Sequence, residues 1–123
     1  MKYRSILLAA LLAVVALGQN TPAHSAIVTW TDTLNPTGTT YNVYRAAGAC
    51  PATPPTSTTG FTKLNPNAAV SGLTYVDSSI VSGTYSYLVT AVVGGVETAP
   101  SPCGQGTVPI AGVPPQSIKI AIK

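Results

Sequence analysis

The chain has 123 residues, enough for one domain, and only six Lys and Arg and three Asp and Glu. Its formal net charge of +3 owes much to Lys2 and Arg4, because the chain beyond residue 18 has four cations and three acids. These numbers exclude a second domain and the basic surface typical of nucleic-acid-binding proteins.

The first 18 residues are predicted to be a secretory signal peptide. After the basic start, the run SILLAALLAVVAL is apolar for about 13 residues, whereas a membrane span needs about 20. Ala16 and Gly18 favour cleavage after Gly18, with cleavage after Ala23 or Ala26, or an uncleaved anchor, as alternatives. We therefore expect a protein secreted to the extracellular space or the cell envelope, with no membrane span after cleavage.

Cys50 and Cys103 are the only cysteines of the chain. Because an exported protein meets an oxidising environment, we expect them to form a disulfide, with two free thiols or an intermolecular bridge as alternatives. The bridge closes a loop of roughly 50 residues and stabilises the fold by about 3–4 kcal/mol. A catalytic thiol is disfavoured because the single histidine, His24, lies near the mature start.

Short segments rich in Thr, Val and Tyr alternate with turn-forming residues after the signal peptide, a pattern typical of an all-β sandwich or barrel. The predicted strands cover residues 26–32, 40–46, 61–64, 73–79, 84–93, 96–110 and 117–123. Within them, alternation assigns these side chains to the core: Val28, Trp30, Tyr41, Val43, Tyr75, Tyr85, Tyr87, Val89 and Ala91.

Turn and loop signals separate these strands. The sequence NPTG at 35–38 has proline and glycine where a β-turn favours them, and Gly94-Gly95 forms another turn. Residues 50–60, CPATPPTSTTG, are predicted to be a loop that Cys50 tethers. Its Thr and Ser residues indicate an ordinary solvated loop, with O-glycosylation as the alternative. Residues 112–115, GVPP, are predicted to be a linker.

The ordered segments HSAIVTWTD, YNVYRA, TKLNPNAAVSGLTYVDSSI and SGTYSYLVTAVVGGVETAPS resemble the fibronectin type III family of secreted bacterial proteins. The last of them ends in an E-x-A-P-S pattern. The resemblance covers residues 23–110 and leaves 111–123 as a linker with a short strand or tail. It implies an immunoglobulin-like Greek-key sandwich of about seven strands, with sheets A-B-E and C′-C-F-G.

The resemblance also gives roles to individual residues. It implies that Tyr85 is a tyrosine corner, whose hydroxyl bonds the backbone near the preceding turn; an ordinary core aromatic is the alternative. Few residues precede the second strand, so the family's first strand is expected to be short or missing. The cysteine pair is not a family feature. Because strands C and G run parallel with F between them, the bridge is expected to pin the loop after C to G.

The segment SIKIAIK at 117–123 aligns Ile118, Ile120 and Ile122 on one face. Since a missing first strand exposes a sheet edge, we expect this segment to fill an edge in its own chain or in a neighbour. A frayed terminus is the alternative.

No catalytic, metal or cofactor site is predicted. Asp32, Asp77 and Glu97 belong to different elements and are interpreted as turn or strand-end residues, and one histidine cannot complete a metal cluster. The chain is therefore expected not to be an enzyme and to use no cofactor.

The leading hypothesis is a secreted, non-catalytic module for extracellular or envelope binding or adhesion, or a spacer, whose partner is a protein or glycan and not a nucleic acid. The alternatives are a structural subunit that self-assembles through its C-terminal strand and an accessory carbohydrate-associated module. Exposed loops often carry binding residues. The residues proposed for a contact surface are Tyr44, Arg45, Pro54, Pro55, Gly94 and Gly95.

Overall fold

The computed structural model describes residues 24–109 and 117–122, which form eight β-strands in two sheets and contain no helix. The predicted all-β class is confirmed. The predicted signal peptide, the 112–115 linker and Lys123 lie outside the described residues. The strands are β1 (His24–Trp30), β2 (Thr40–Ala47), β3 (Thr62–Lys63), β4 (Thr74–Ile80), β5 (Gly83–Val93), β6 (Val96–Glu97), β7 (Gly104–Val108) and β8 (Ser117–Ile122).

The smaller sheet has the strand order β4-β1-β8. Its central strand β1 pairs antiparallel with β4 and parallel with β8. The parallel pairing runs from Ser25 opposite Ser117 to Trp30 opposite Ile122. The C-terminal strand therefore occupies an edge within its own chain.

The larger sheet has the order β3-β2-β5, with β6 and β7 both paired to β5. β2 and β5 are antiparallel from Thr40 opposite Val92 to Ala47 opposite Tyr85. Because β2 occupies one edge of β5, β6 and β7 share the other edge as two parts of one interrupted strand.

The interruption corrects the prediction of a single strand over 96–110. Pro100 and Pro102 lie between β6 and β7 and have no N–H to donate to a strand ladder. The amides of Thr98 and Ser101 still donate to carbonyl oxygens of β5, at 2.8 Å each. With β8 included, eight strands replace the predicted seven or so.

The core lies between the two sheets. Seven residues assigned to the core from the sequence are buried: Val28, Trp30, Tyr41, Val43, Tyr87, Val89 and Ala91. Tyr75 and Tyr85 are partly buried and pack against this cluster. The sequence interpretation did not include five further buried members: Ala26, Ile80, Val108, Ile120 and Ile122.

Glycines of β7 make room for the isoleucines of β8. A Cβ atom added at Gly104 would lie 2.7 Å from Cγ1 of Ile122, and one at Gly106 would lie 3.0 Å from Cγ1 of Ile120. The first separation is shorter than real carbon contacts and the second is tight, so larger residues at these positions would force the isoleucine side chains of β8 to shift. The two glycines and the isoleucine row therefore fit each other across the two sheets.

Candidate functional site

A disulfide joins Cys50 to Cys103, with their Cα atoms 5.9 Å apart. The predicted pairing is thus confirmed as intramolecular. Cys103 directly precedes β7, and the amide of Cys50 donates to Oε1 of Gln105 at 2.9 Å. These contacts tether the loop of residues 51–60 to the far edge of β5.

Tyr44, which the sequence interpretation assigned to a contact surface, is 8% exposed and therefore not available for contact. It lies on the outer face of the larger sheet, where Leu88 and Thr90 are also buried. Thr58 of the tethered loop lies near the Tyr44 hydroxyl and lines a cleft together with Glu97 and Thr90. The loop thus helps to cover the outer face. Apolar residues on both faces of β5, in the run YLVTAVV, were the signal for this second covered face.

Three side chains donate hydrogen bonds to one carboxylate oxygen of Glu97 on this face. Oε2 accepts from Tyr44 and Thr90 at 2.5 Å each and from Nδ2 of Asn42 at 3.2 Å. These bonds, with that of Thr90 the strongest contribution, lower the pKa of Glu97 below its ordinary value. Burial and the bond to Glu97 raise the pKa of Tyr44 to about 12. Glu97 is therefore a fixed, ionised carboxylate whose Oε1 accepts no hydrogen bond from the described residues.

Asn65 supports this arrangement from the loop after β3. Its Nδ2 donates to Oδ1 of Asn42 and to the carbonyl of Ala68, at 3.0 Å each, and its Oδ1 accepts from the amide of Val43 at 2.9 Å. The amide of Asn42 is thereby oriented with its nitrogen toward Glu97. Neither asparagine was singled out in the sequence, because their pairing joins residues 23 positions apart.

Shallow clefts lie on both sides of this group. One has a volume of about 260 Å³ and is lined by Thr56, Ser57, Thr58, Thr90, Glu97, Thr98, Ala99 and Pro100. The other measures about 300 Å³ and is lined by Asn42, Lys63, Asn65, Pro66, Asn67, Ala68, Ala69 and Val92. Hydroxyl and amide groups surround a single carboxylate here. We name as the loop face the tethered loop 51–60 together with residues 94–100.

The remaining predicted contact residues of the loop face differ in exposure. Pro54 is exposed, whereas Pro55 is half-buried. Gly94 and Gly95 have φ angles of 57° and 81° and form the exposed turn between β5 and β6. This left-handed backbone favours glycine at both positions. The structure thus brings the predicted loop and turn to one face.

Arg45 does not belong to the loop face. Its side chain points between the sheets, where Nη1 lies 3.0 and 2.9 Å from the two carboxylate oxygens of Asp77. Tyr87 donates to the same carboxylate at 2.7 Å, and the guanidinium lies 5.4 Å from the Tyr85 ring centroid. The ion pair joins β2 and β4 and leaves the Arg45 side chain 30% exposed, so its role as a contact residue stays a prediction.

The buried carboxylate of Asp77 also corrects the sequence interpretation. Asp77 lies within β4 and is 6% exposed, so it is neither a turn residue nor a strand end. Both of its oxygens bond Arg45, and one also bonds Tyr87. Both oxygens of this buried carboxylate therefore have structural partners.

A third concave region lies at one end of the sandwich. Its volume is about 220 Å³, and Trp30, Asp32, Tyr41 and the 98–102 segment contribute to its wall. Asp32 accepts hydrogen bonds from Tyr41 at 2.8 Å and from Nδ2 of Asn35 at 2.8 Å. Bonds from these two residues lower the pKa of Asp32 to about 2. Asp32 thus stabilises the turn after β1, as the sequence predicted.

Comparisons of the chain with protein-family models, with curated proteins and with solved structures found no match. In the described part of the chain, no three His, Cys, Asp or Glu side chains are grouped to hold a metal ion. Residues 24–109 and 117–122 contain no helix long and apolar enough to span a membrane.

Proposed function

We propose that this protein is a secreted, non-catalytic module of the fibronectin type III kind that binds an extracellular or envelope partner through its loop face. The partner is a protein or a glycan that meets the clefts beside Glu97. The sandwich holds this face in position, and the disulfide restrains its loop.

Strand order supports the fibronectin type III assignment. β1 and β4 share one sheet, while β3, β2, β5 and the interrupted strand form the other, in the order that the resemblance implies for B-E and C′-C-F-G. The hydroxyl of Tyr85 donates to the carbonyl of Val81 at 3.1 Å, as in a tyrosine corner. In this assignment β8 takes the edge position of the missing first strand, although it runs parallel to β1.

The carboxylate of Glu97 is the observation that carries the binding role. Three hydrogen bonds to Oε2 fix it in a cleft, while Oε1 remains available to a ligand donor. A group held in place before binding loses little conformational freedom when a ligand arrives. Glu97 lines an open cleft with Thr58 and Thr98, which leaves room for a ligand beside the carboxylate.

A tail-mediated structural subunit has less support. β8 already pairs with β1 of its own chain and inserts Ile120 and Ile122 into the core. Assembly through β8 would first require its removal, which would expose the glycines of β7.

The binding role is tested by adding one carboxylate to each of two opposite faces. Val96→Glu changes an exposed residue of the loop face, and Ala121→Glu changes an exposed residue of the smaller sheet. We expect the fluorescently labelled, oxidised mature protein to cosediment with envelope fractions of the producing cells. Val96→Glu should weaken this retention at least tenfold, whereas Ala121→Glu should leave it unchanged.

Two results would contradict the proposal: no retention of the unaltered protein by envelope or secreted material, or equal loss in both variants. A glycan array probed with the same labelled proteins distinguishes the two kinds of partner. Signal on the array that Val96→Glu removes would identify a glycan, and retention by protease-sensitive envelope material without array signal would identify a protein.

A further inference from the structure

β4 forms an open edge of the smaller sheet. It pairs with β1 on one side, and no described strand pairs with its other side. Seven residues long, it leaves a row of backbone N–H and C=O groups without strand partners. Such an edge is a template for another strand.

The other edges are short or protected. β3 has only two residues, and one of them is the exposed Lys63. β8 has the exposed Lys119 at its middle, and lysine on an edge opposes pairing with another chain. β7 has five residues and β6 has two, so both are shorter than β4. Among the described edges, β4 alone combines length with an outward face that bears no charge, since Thr74, Val76 and Ser78 are exposed. Its pairing with β1 is regular from Thr74 to Asp77 and shifts register beyond Asp77.

Exposed apolar side chains follow the same edge. Val76 is 55% exposed within β4, Leu73 is 42% exposed just before it, and Val81 is 53% exposed just after it. These are three of the five large hydrophobic residues that are exposed in the described chain. Pairing at this edge would bring apolar surface together as well as satisfy backbone groups.

We propose that two copies of this chain associate by antiparallel pairing of β4 with β4 about a two-fold axis at Val76. The two sheets then become one continuous six-stranded sheet, in the order β8-β1-β4-β4-β1-β8. In this register Val76 faces Val76 of the second copy, and Thr74 faces Ser78. A β-branched apolar pair at the centre is favourable between antiparallel strands.

Electrostatics permits this register, opposes an axis at Asp77 and favours a second copy as the occupant. Asp77 faces Tyr75 of the second copy, whereas an axis at Asp77 would set two carboxylates opposite each other. Arg45 already neutralises Asp77 within each copy. The edge therefore carries no unpaired charge that would select a charged peptide, and its outward residues complement themselves.

The association is tested by measuring the mass of the oxidised mature protein by sedimentation equilibrium. Because a strand-edge interface is small, the range from about 10 µM to about 1 mM is appropriate. We expect monomer to convert to dimer across this range. Val76→Lys should weaken the dimer at least tenfold, and Ala121→Lys, on the same outer face but at β8, should not. Monomer throughout, or equal weakening by both variants, would overturn the proposal.

A cross-linking pair tests the register. Cysteines that replace Val76 would face each other directly, at a Cα separation that permits a disulfide. Cysteines that replace Ser78 would be four residues out of register, about 13 Å apart along the strands. Val76→Cys should therefore form covalent dimers at least tenfold faster than Ser78→Cys under the same mild oxidation. Equal rates, or no covalent dimer from either variant, would contradict pairing about Val76.

Discussion

At the scale of single residues, Trp30 shows how closely the core is filled. Its ring meets that of Tyr41 edge to face, with 5.3 Å between the ring centroids, and only 6% of the residue is exposed. Edge-to-face packing of two aromatics adds to the free energy gained by burying them. The indole N–H has no hydrogen-bond partner in the described structure, so packing and not polarity holds the ring.

Replacing Trp30 with alanine should therefore lower the free energy of unfolding by about 3–5 kcal/mol, since it leaves a large cavity. Trp30→Phe should cost less, because it retains an aromatic ring and removes an unpaired N–H. Urea denaturation followed by circular dichroism measures both variants. Leu34→Ala is the control: this residue is 93% exposed, and its replacement should change stability by less than about 0.5 kcal/mol.

The lowered pKa of Asp32 predicts that the free energy of unfolding decreases in acid. Hydrogen bonds to Asn35 and Tyr41 lower its pKa from 3.8 to about 2 in the folded state, so the unfolded chain binds the proton more readily. Its contribution is complete above pH 3.8 and declines as the pH falls toward 2. Asp32→Asn should flatten this acid-dependent decline in urea titrations at several pH values. An identical decline in variant and parent would rule out this role.

The sequence predicted residues of the inner face much better than those of the outer face. The alternation of apolar and polar residues identified Trp30 and Tyr41 as core residues, because the two faces of a strand can be read from the local sequence. Tyr44 was misassigned because the tethered loop 51–60 helps to bury the outer face. The disulfide holds that loop in place, and local sequence does not show this contact. The Arg45–Asp77 pair, separated by 32 positions in sequence, also depends on how two sheets face each other.

At the scale of elements, β8 is the most informative strand. Its isoleucine spacing predicted an apolar face on an edge strand, and Ile120 and Ile122 are 2% and 3% exposed. Its parallel direction was not predictable, because the spacing of side chains is the same in both directions. Pro100 and Pro102 were the sequence signal for the break between β6 and β7, because proline has no backbone N–H to donate to a strand ladder.

Adding a bulky side chain at the contact between β7 and β8 should loosen β8. Gly106→Val places carbon atoms against Ile118 and Ile120, where even a Cβ would lie 3.0–3.1 Å from their side chains. We expect a loss of about 1–3 kcal/mol in unfolding free energy. Hydrogen exchange should show weaker protection of β8 amides. Thr107→Val, an exposed change on the same strand, should leave that protection intact.

At the scale of the whole molecule, the all-β class was predicted from composition, and the pairing of the two cysteines was predicted from their even number and the predicted export signal. The packing of two sheets followed from turn spacing. The polar group around Glu97 was not predictable, because it assembles residues from β2, β5, β6 and the loop after β3. Such groups depend on strand register, which local sequence does not define.

Breaking the disulfide with Cys50→Ala and Cys103→Ala together should destabilise the fold by about 4 kcal/mol, since the bridge spans 53 positions. The double change avoids leaving one reactive thiol. Urea denaturation gives the free energy, and limited proteolysis should show earlier cutting within residues 51–60 than in the parent. Unchanged cutting of this loop would mean that its contacts with Tyr44 restrain it without the bridge.

The position of β8 in chain order has a consequence during synthesis. Ile120 and Ile122 complete the core, yet the ribosome adds them after all seven preceding strands. Until they emerge, β1 has β4 on one side only and the core lacks two of its buried side chains. Translation order thus delays closure of the sandwich until the last strand has been made.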